Sequence, residues 1–251
     1  MKTIFNQTRL LTLLLFPFTI ASFSQRISKE LANFNKIVAG PHIELTLKQG
    51  EHEMIETTAE NVSPDNIVIK VRNGTLKIYL KDWRKHEIIK KDTKTFKADL
   101  YRNTKVHATV IFNSLRKIVA IGEEKISSDS IIENDRFSMK IYGETKVCLC
   151  NLETNKLITK LFGENEVAIQ SGKAVKHKSK LFGENSVIVT DVYAQKTKCT
   201  SFGENEFAGN SEKKFRVNSF GESEFNQHGT AKIHKTIALG ENKYLYSYNN
   251  E

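Results

Sequence analysis

Leu161-Phe162-Gly163-Glu164-Asn165, Leu181-Phe182-Gly183-Glu184-Asn185 and Ser201-Phe202-Gly203-Glu204-Asn205 are one pattern met three times at an even interval. Working outward from these three copies, Gly-Glu recurs at Gly122-Glu123, Gly143-Glu144, Gly221-Glu222 and Gly240-Glu241. The steps between copies are nearly equal, the longest from Gly122 to Gly143 and the shortest from Gly203 to Gly221. The flanks repeat as well. Ile121, Tyr142, Phe162, Phe182, Phe202, Phe220 and Leu239 precede the glycines, and Ile126, Val147, Val167, Val187, Phe207, Phe225 and Tyr244 follow at a fixed distance. A fixed period of roughly 20 is the signature of a stacked repeat.

Within each period apolar residues alternate, as in Val167-Ala168-Ile169 and Val187-Ile188-Val189, which is strand periodicity. Two or three short strands joined by bends fill one such period and leave little room for an α-helix. The sequence therefore predicts an all-β fold: a single-stranded right-handed parallel β-helix (a β-solenoid) with ~20-residue coils about 4.8 Å apart. Gly at the bend supplies a positive φ that other residues resist. The aromatic before it and the Val or Phe after it are expected to form stacked interior columns, with an exposed sugar-stacking strip as the alternative for the aromatic. Asn165, Asn185, Asn205 and Asn242 are expected to form an amide ladder.

Stacking also lines up Glu123, Glu144, Glu164, Glu184, Glu204, Glu222 and Glu241. Neighbouring carboxylates about 4.8 Å apart repel by about 1 kcal/mol even in water. Relief is expected from turn amides, or from the parallel column Lys140, Lys160 and Lys180. Calcium is the alternative, because it favours oxygen ligands, but the Gly-doubled, Asp-rich nonapeptide of calcium-binding solenoids is absent. No metal and no cofactor is expected.

Residues 1–25 read as a signal peptide. Lys2 and Arg9 give the positive end, Leu10 to Ile20 the apolar stretch, and Ser22-Phe23-Ser24 the small residues before cleavage near Gln25. No cysteine follows to take a lipid, and no later stretch has transmembrane length. The protein is thus expected to be exported, to the periplasm or to the cell surface and beyond. The domain at 26–251 is divided into N-terminal strands and first coils at 34–116 and the seven Gly-Glu coils at 117–251. Cys148, Cys150 and Cys199 are expected to be buried free thiols, because same-face neighbours on one strand are badly placed to bridge.

In the first segment Ile43, Leu45 and Leu47 alternate, as do Ile67, Ile69 and Val71, then Leu76, Ile78 and Leu80 after an Asn73-Gly74 hairpin signal. These strands are expected to continue or cap the solenoid. At the other end, Tyr244, Tyr246 and Tyr248 suggest a closing coil.

The 251 residues are 39% hydrophobic, enough for one sizeable core, and carry a formal +9. Removing Lys2 and Arg9 with the leader leaves +7, because residues 1–25 contain no acid. Such a charge favours anionic partners or simply solubility. A cluster at 81–97 stands apart, where Lys81, Arg84, Lys85, Lys90, Lys91, Lys94 and Lys97 face only Asp82, Glu87 and Asp92, with Trp83 among them. Trp83, Arg84, Lys85, Lys90 and Lys91 are the candidate glycan-binding residues, with a solvated loop as the plainer role.

The chain resembles the head GIN domain family of auto-transporter adhesins, found among exported proteins of Bacteroidetes. The resemblance rests on Phe34-Asn35-Lys36-Ile37-Val38-Ala39-Gly40 with Ile43-Glu44-Leu45-Thr46-Leu47-Lys48-Gln49-Gly50, and on Leu115-Arg116-Lys117-Ile118-Val119-Ala120-Ile121-Gly122. It departs in Pro41-His42 and in Gly-Glu-Asn where Gly-Ser-Gly-Asp is commoner. The resemblance implies a right-handed β-helix after a signal peptide, and brings no catalytic residues.

Three functions compete: a binding or adhesion module, a polysaccharide lyase or hydrolase, and an envelope scaffold without a soluble ligand. An enzyme on this fold needs loops that wall a groove around clustered carboxylates. The even steps between Gly-Glu copies leave no room for such loops, and the histidines, His177 and His234 among them, show no ligand spacing. The expectation is a non-enzymatic protein with no catalytic residues. Its partner would be envelope or extracellular polysaccharide, or another surface protein, rather than nucleic acid.

Overall fold

The computed structural model describes residues 26–91 and 94–247, with side chains outside 87–98. The segment 1–25, expected to be a signal peptide, Tyr248 and the final Asn249-Asn250-Glu251 lie outside the described residues. Parallel pairing runs from coil to coil in the register that the repeat sets. Gly122 lies opposite Gly143, Gly143 opposite Gly163, and Gly163 opposite Gly183. Each coil has three faces. In one coil they are 136–143, 146–149 and 151–154, and they pair in turn with 156–163, 166–169 and 172–174 of the next. The result is a parallel β-solenoid with no α-helix among the described residues.

The corner between the first two faces explains the glycine. Gly163 has φ +112°, and a Cβ there would sit 2.3 Å from the Gly143 carbonyl oxygen of the preceding coil. That oxygen accepts the Glu164 N–H at 2.9 Å. Only a residue without a side chain satisfies both the dihedral and the close approach.

Inside, Leu157, Thr159 and Leu161 of one coil stack on His177, Ser179 and Leu181 of the next. The Val or Phe column after the corner is interior as expected, with Val147, Val167, Val187, Phe207 and Phe225 all buried. The aromatic column before the corner is not. Tyr142, Phe162, Phe182 and Phe220 are only half-buried and Phe202 is 37% exposed. Strand alternation explains this outcome. Phe162 and Phe182 share the outward face of Lys160 and Lys180, while Leu161 and Leu181 between them point in.

The N-terminal strands join the same sheet. Lys36–Ala39 pairs with 117–120 on one side and 75–78 on the other, and Ile43–Gln49 pairs with Lys105–Phe112. Antiparallel strands then cover the first coil. Ile67–Arg72 and Thr75–Leu80 form a hairpin through Asn73 (φ 50°) and Gly74 (φ 66°). Met54–Glu60 and Arg26–Glu30 close the neighbouring face. Such a cap covers the ladder edge that a first coil leaves open. The segment at 86–99 is a two-stranded hairpin, His86–Lys91 with Lys94–Asp99, rather than a plain loop. The three cysteines are free, but only Cys199 is buried; Cys148 and Cys150 face outward and are half-buried.

Candidate binding surface

The first face carries the strongest chemical signal. Its strands run from Ile67–Arg72 and Thr75–Leu80 through Lys36–Ala39 and Lys117–Gly122. They continue with 136–143, 156–163, 176–183, 196–203 and 214–220, ending at Ile233–Leu239. None of these strands contains an Asp or Glu. Alternation turns the basic residues outward in columns. One column is Arg136, Lys156 and Lys176; a second includes Ser138, Ile158 and Lys178; a third is Lys140, Lys160 and Lys180. Two shallow depressions lie between these side chains. One, of ≈300 Å³, is lined by Lys36, Lys117, Arg136, Lys140 and Lys160 among others. The other, of ≈420 Å³, is lined by Lys176, Lys178, Lys196, Lys198, Lys214 and Arg216 above the buried His177.

The aromatic column borders this face. Successive rings from Tyr142 to Phe220 are 4.6–5.0 Å apart and within 16° of parallel. Each inner ring therefore has both faces against its neighbours and offers solvent only an edge. That removes the sugar-stacking role, which requires a free ring face. Lys140 turns its ammonium onto this ladder, 4.9 Å from the Tyr142 centroid, a cation–π contact.

Beyond the glycines, Glu144, Glu164, Glu184, Glu204, Glu222 and Glu241 line an open concavity of ≈1020 Å³ together with Glu166, Glu206 and Glu224. Among the described residues no Lys, Arg or His pairs with these corner glutamates. Glu166 is held by Lys146, and Glu206 accepts a hydrogen bond from the Ser186 hydroxyl. The expected relief of the glutamate column by turn amides or by Lys140 does not occur. Its carboxylates are exposed, where solvent and salt screen their repulsion. No group of three or more His, Cys, Asp or Glu side chains among the described residues is placed to hold a metal ion.

Turn capping falls to the next residue in the repeat. Asn165, Asn185 and Asn205 are buried. The Asn185 Oδ1 accepts both the backbone N–H (3.2 Å) and the Nδ2 (2.9 Å) of Asn165, and Asn205 treats Asn185 in the same way. Asn242 stands apart, bonded only to carbonyls of its own turn. Glu124 occupies the equivalent place at the first corner. Its carboxylate accepts the N–H of His42 (2.6 Å) and of Glu123 (2.9 Å). Burial raises the Glu124 carboxyl above its ordinary pKa, against the lowering pull of those two amides and of His42. The His42 Nε2 lies 3.1 Å from an Asp99 carboxylate oxygen, so the departure at Pro41-His42 seals the capped end of the stack.

The sequence candidates are dispersed by comparison. Trp83 is half-buried, packs against the core and is covered by the Arg84 guanidinium 4.3 Å from its ring. Lys85 pairs with Asp82 at 3.1 Å. Lys90 and Lys91 lie on the His86–Lys91 strand, with side chains outside the described residues. The signal for the larger basic surface was present in Lys176-His177-Lys178-Ser179-Lys180 and Lys196-Thr197-Lys198, whose alternation puts all five lysines on one side.

Regular coils and a basic outer face define a parallel β-solenoid with one strongly charged side. The chain belongs to the family described as putative auto-transporter adhesin, head GIN domain, whose model matches residues 33–231. Its fold is shared by a putative adhesin from Bacteroides fragilis at 17% identity and TM-score 0.69, over 89% of this chain and 96% of that one. A putative adhesin from Parabacteroides merdae aligns at 12% identity and TM-score 0.62, covering 89% and 95%. A putative lipid binding protein from Parabacteroides distasonis aligns at 16% identity and TM-score 0.61, covering 89% and 96%. No curated protein matches the chain in sequence.

Proposed function

We propose that this is an exported, non-enzymatic binding module of the cell envelope whose ligand is an acidic glycan. The observation that carries this reading is the first face, whose strands hold Lys and Arg in every coil from 136 to 216 and no acid. A surface of one sign attracts polyanions and holds them through charge-assisted hydrogen bonds. The leader at 1–25 supports export, and the adhesin family supports a surface role. The even spacing of the Gly-Glu corners supports binding over catalysis, since it supplies no loop to enclose a scissile bond.

A glycan array probed with the exported protein at low and at physiological salt tests this. Retention of uronic-acid or sulfated chains over neutral ones, weakening with salt, is the expected result. Release of shortened chains would overturn the non-enzymatic reading, and absence of any acidic ligand would overturn the glycan.

A further inference from the structure

Resting on that reading, we infer that the basic face is a two-trough track for a linear polyanionic glycan lying across the strands, parallel to the solenoid axis. The two depressions follow one another along that axis. The first is formed by Lys36, Lys117, Arg136, Lys140 and Lys160. The second is formed by Lys176, Lys178, Lys196, Lys198, Lys214 and Arg216. Ile158 of the first trough and Lys178 of the second lie opposite each other on adjacent paired strands, so the troughs meet without an intervening coil.

Direction follows from the charge pattern. Along a strand, across the coil, the face ends at the aromatic ladder, and past the ladder stand the corner glutamates. A polyanion laid parallel to the strands would run from lysine into that acidic corner within one coil. Laid across the strands it stays over basic side chains from Lys36 to Arg216. That path steps from Lys36–Ala39 through Lys117–Gly122, 136–143, 156–163, 176–183 and 196–203 to 214–220, roughly 29 Å at about 4.8 Å for each step. The ring edges facing solvent carry the positive side of the aromatic quadrupole, so the ladder does not repel the chain it borders. A trough accommodates a chain, whereas a planar bilayer would touch only the ridges. A glycan is therefore favoured over an anionic lipid surface.

A ligand that fills one trough binds as a single site, and one long enough to reach both gains effective concentration at the second. Length dependence is the consequence. Size-defined oligogalacturonates titrated calorimetrically against the full exported chain should show a drop in Kd of about 10-fold or more once the oligomer exceeds roughly 29 Å. The variants Arg136→Glu/Lys140→Glu/Lys160→Glu and Lys178→Glu/Lys198→Glu/Arg216→Glu should each reduce a long oligomer to the affinity of a short one. Far-ultraviolet circular dichroism and the melting curve check that each variant is folded. The Arg84→Glu/Lys85→Glu variant should keep the length dependence.

A Kd independent of length, or unchanged in both triple variants while Arg84→Glu/Lys85→Glu loses binding, overturns the track and leaves the glycan reading standing. Failure of every acidic oligomer to bind the wild type overturns both. Recruitment to vesicles containing anionic phospholipid, lost in the triple variants, with no oligomer binding, assigns the face to a membrane and likewise overturns the track.

Discussion

Gly183 carries two constraints at once, a φ of +106° and a carbonyl 2.4 Å from where its Cβ would lie. Substitution Gly183→Ala is expected to cost about 2–3 kcal/mol, seen as a lower denaturant midpoint at unchanged m-value. Asn185 is a different kind of residue: removing its amide orphans the Asn165 N–H and Nδ2 in a dry corner. Asn185→Ala should therefore cost about 2 kcal/mol, although no backbone strain is involved. His177 adds a pH dependence. It is buried against the Thr159 hydroxyl at 3.2 Å and tilted on Phe207, and burial lowers its pKa from 6.5 to about 4. The unfolded chain therefore binds a proton that the folded one refuses between those values. The resulting stability is complete above pH 6.5, declines as pH falls toward 4, and is flat below. The loss is on the order of 3 kcal/mol. Urea melts from pH 7 to 4 should show this slope in the wild type and a reduced one in His177→Gln. Equal slopes would sink the assignment.

At the scale of the element, the corner was legible in the sequence and the sidedness of its neighbours was not. Gly163 and its counterparts repeat because dihedral and sterics demand the same residue every time, and the Asn ladder was readable for the same reason. Leu161 and Phe162 are both apolar, so composition alone does not choose which one points inward. Lys160 decides it, because Phe162 shares its parity along the strand, and that makes the aromatics a surface ladder rather than core. The stability consequence is specific. Phe182→Ala removes two ring contacts worth about 1 kcal/mol each and leaves no cavity. Phe215→Ala empties a fully buried site and should cost about 3–5 kcal/mol. Comparable losses in the two variants would return the ladder to the core. The basic face was harder to see because its lysines come from successive coils, far apart in sequence, and become neighbours only by stacking. The 81–97 cluster stands out in the sequence, yet Arg84 and Lys85 are engaged locally with Trp83 and Asp82.

At the scale of the whole molecule, the two ends of the solenoid differ. The first coils are covered on two faces by antiparallel strands and sealed by the His42, Asp99 and Glu124 contacts. Their inward residues, such as Ile37, Leu45, Leu76 and Val110, are apolar, with Thr57 of the capping strand a buried polar exception. Toward the other end one interior column runs through Thr159, Ser179 and Cys199, and the neighbouring one passes from Leu161 and Leu181 to Ser201 and Ser219. The Ser219 hydroxyl finds no partner there, and that of Ser179 has only the Cys199 sulfur beside it. In the last described coil Ile237 and Leu239 are exposed, at 41% and 59%. A stacked repeat gains stability coil by coil from its neighbours, so local opening begins where an interface is poorest. Amide hydrogen exchange followed by mass spectrometry should find the fastest strands in 233–246, intermediate protection in 196–220, and the slowest in 106–169. The order matters for binding, because the second trough, with Lys198, Lys214 and Arg216, lies on the half that opens first. A bound polyanion spanning both troughs would tie that half to the capped one. Ligand-induced protection should then be larger at 196–220 than at 117–143, although both segments touch the same chain.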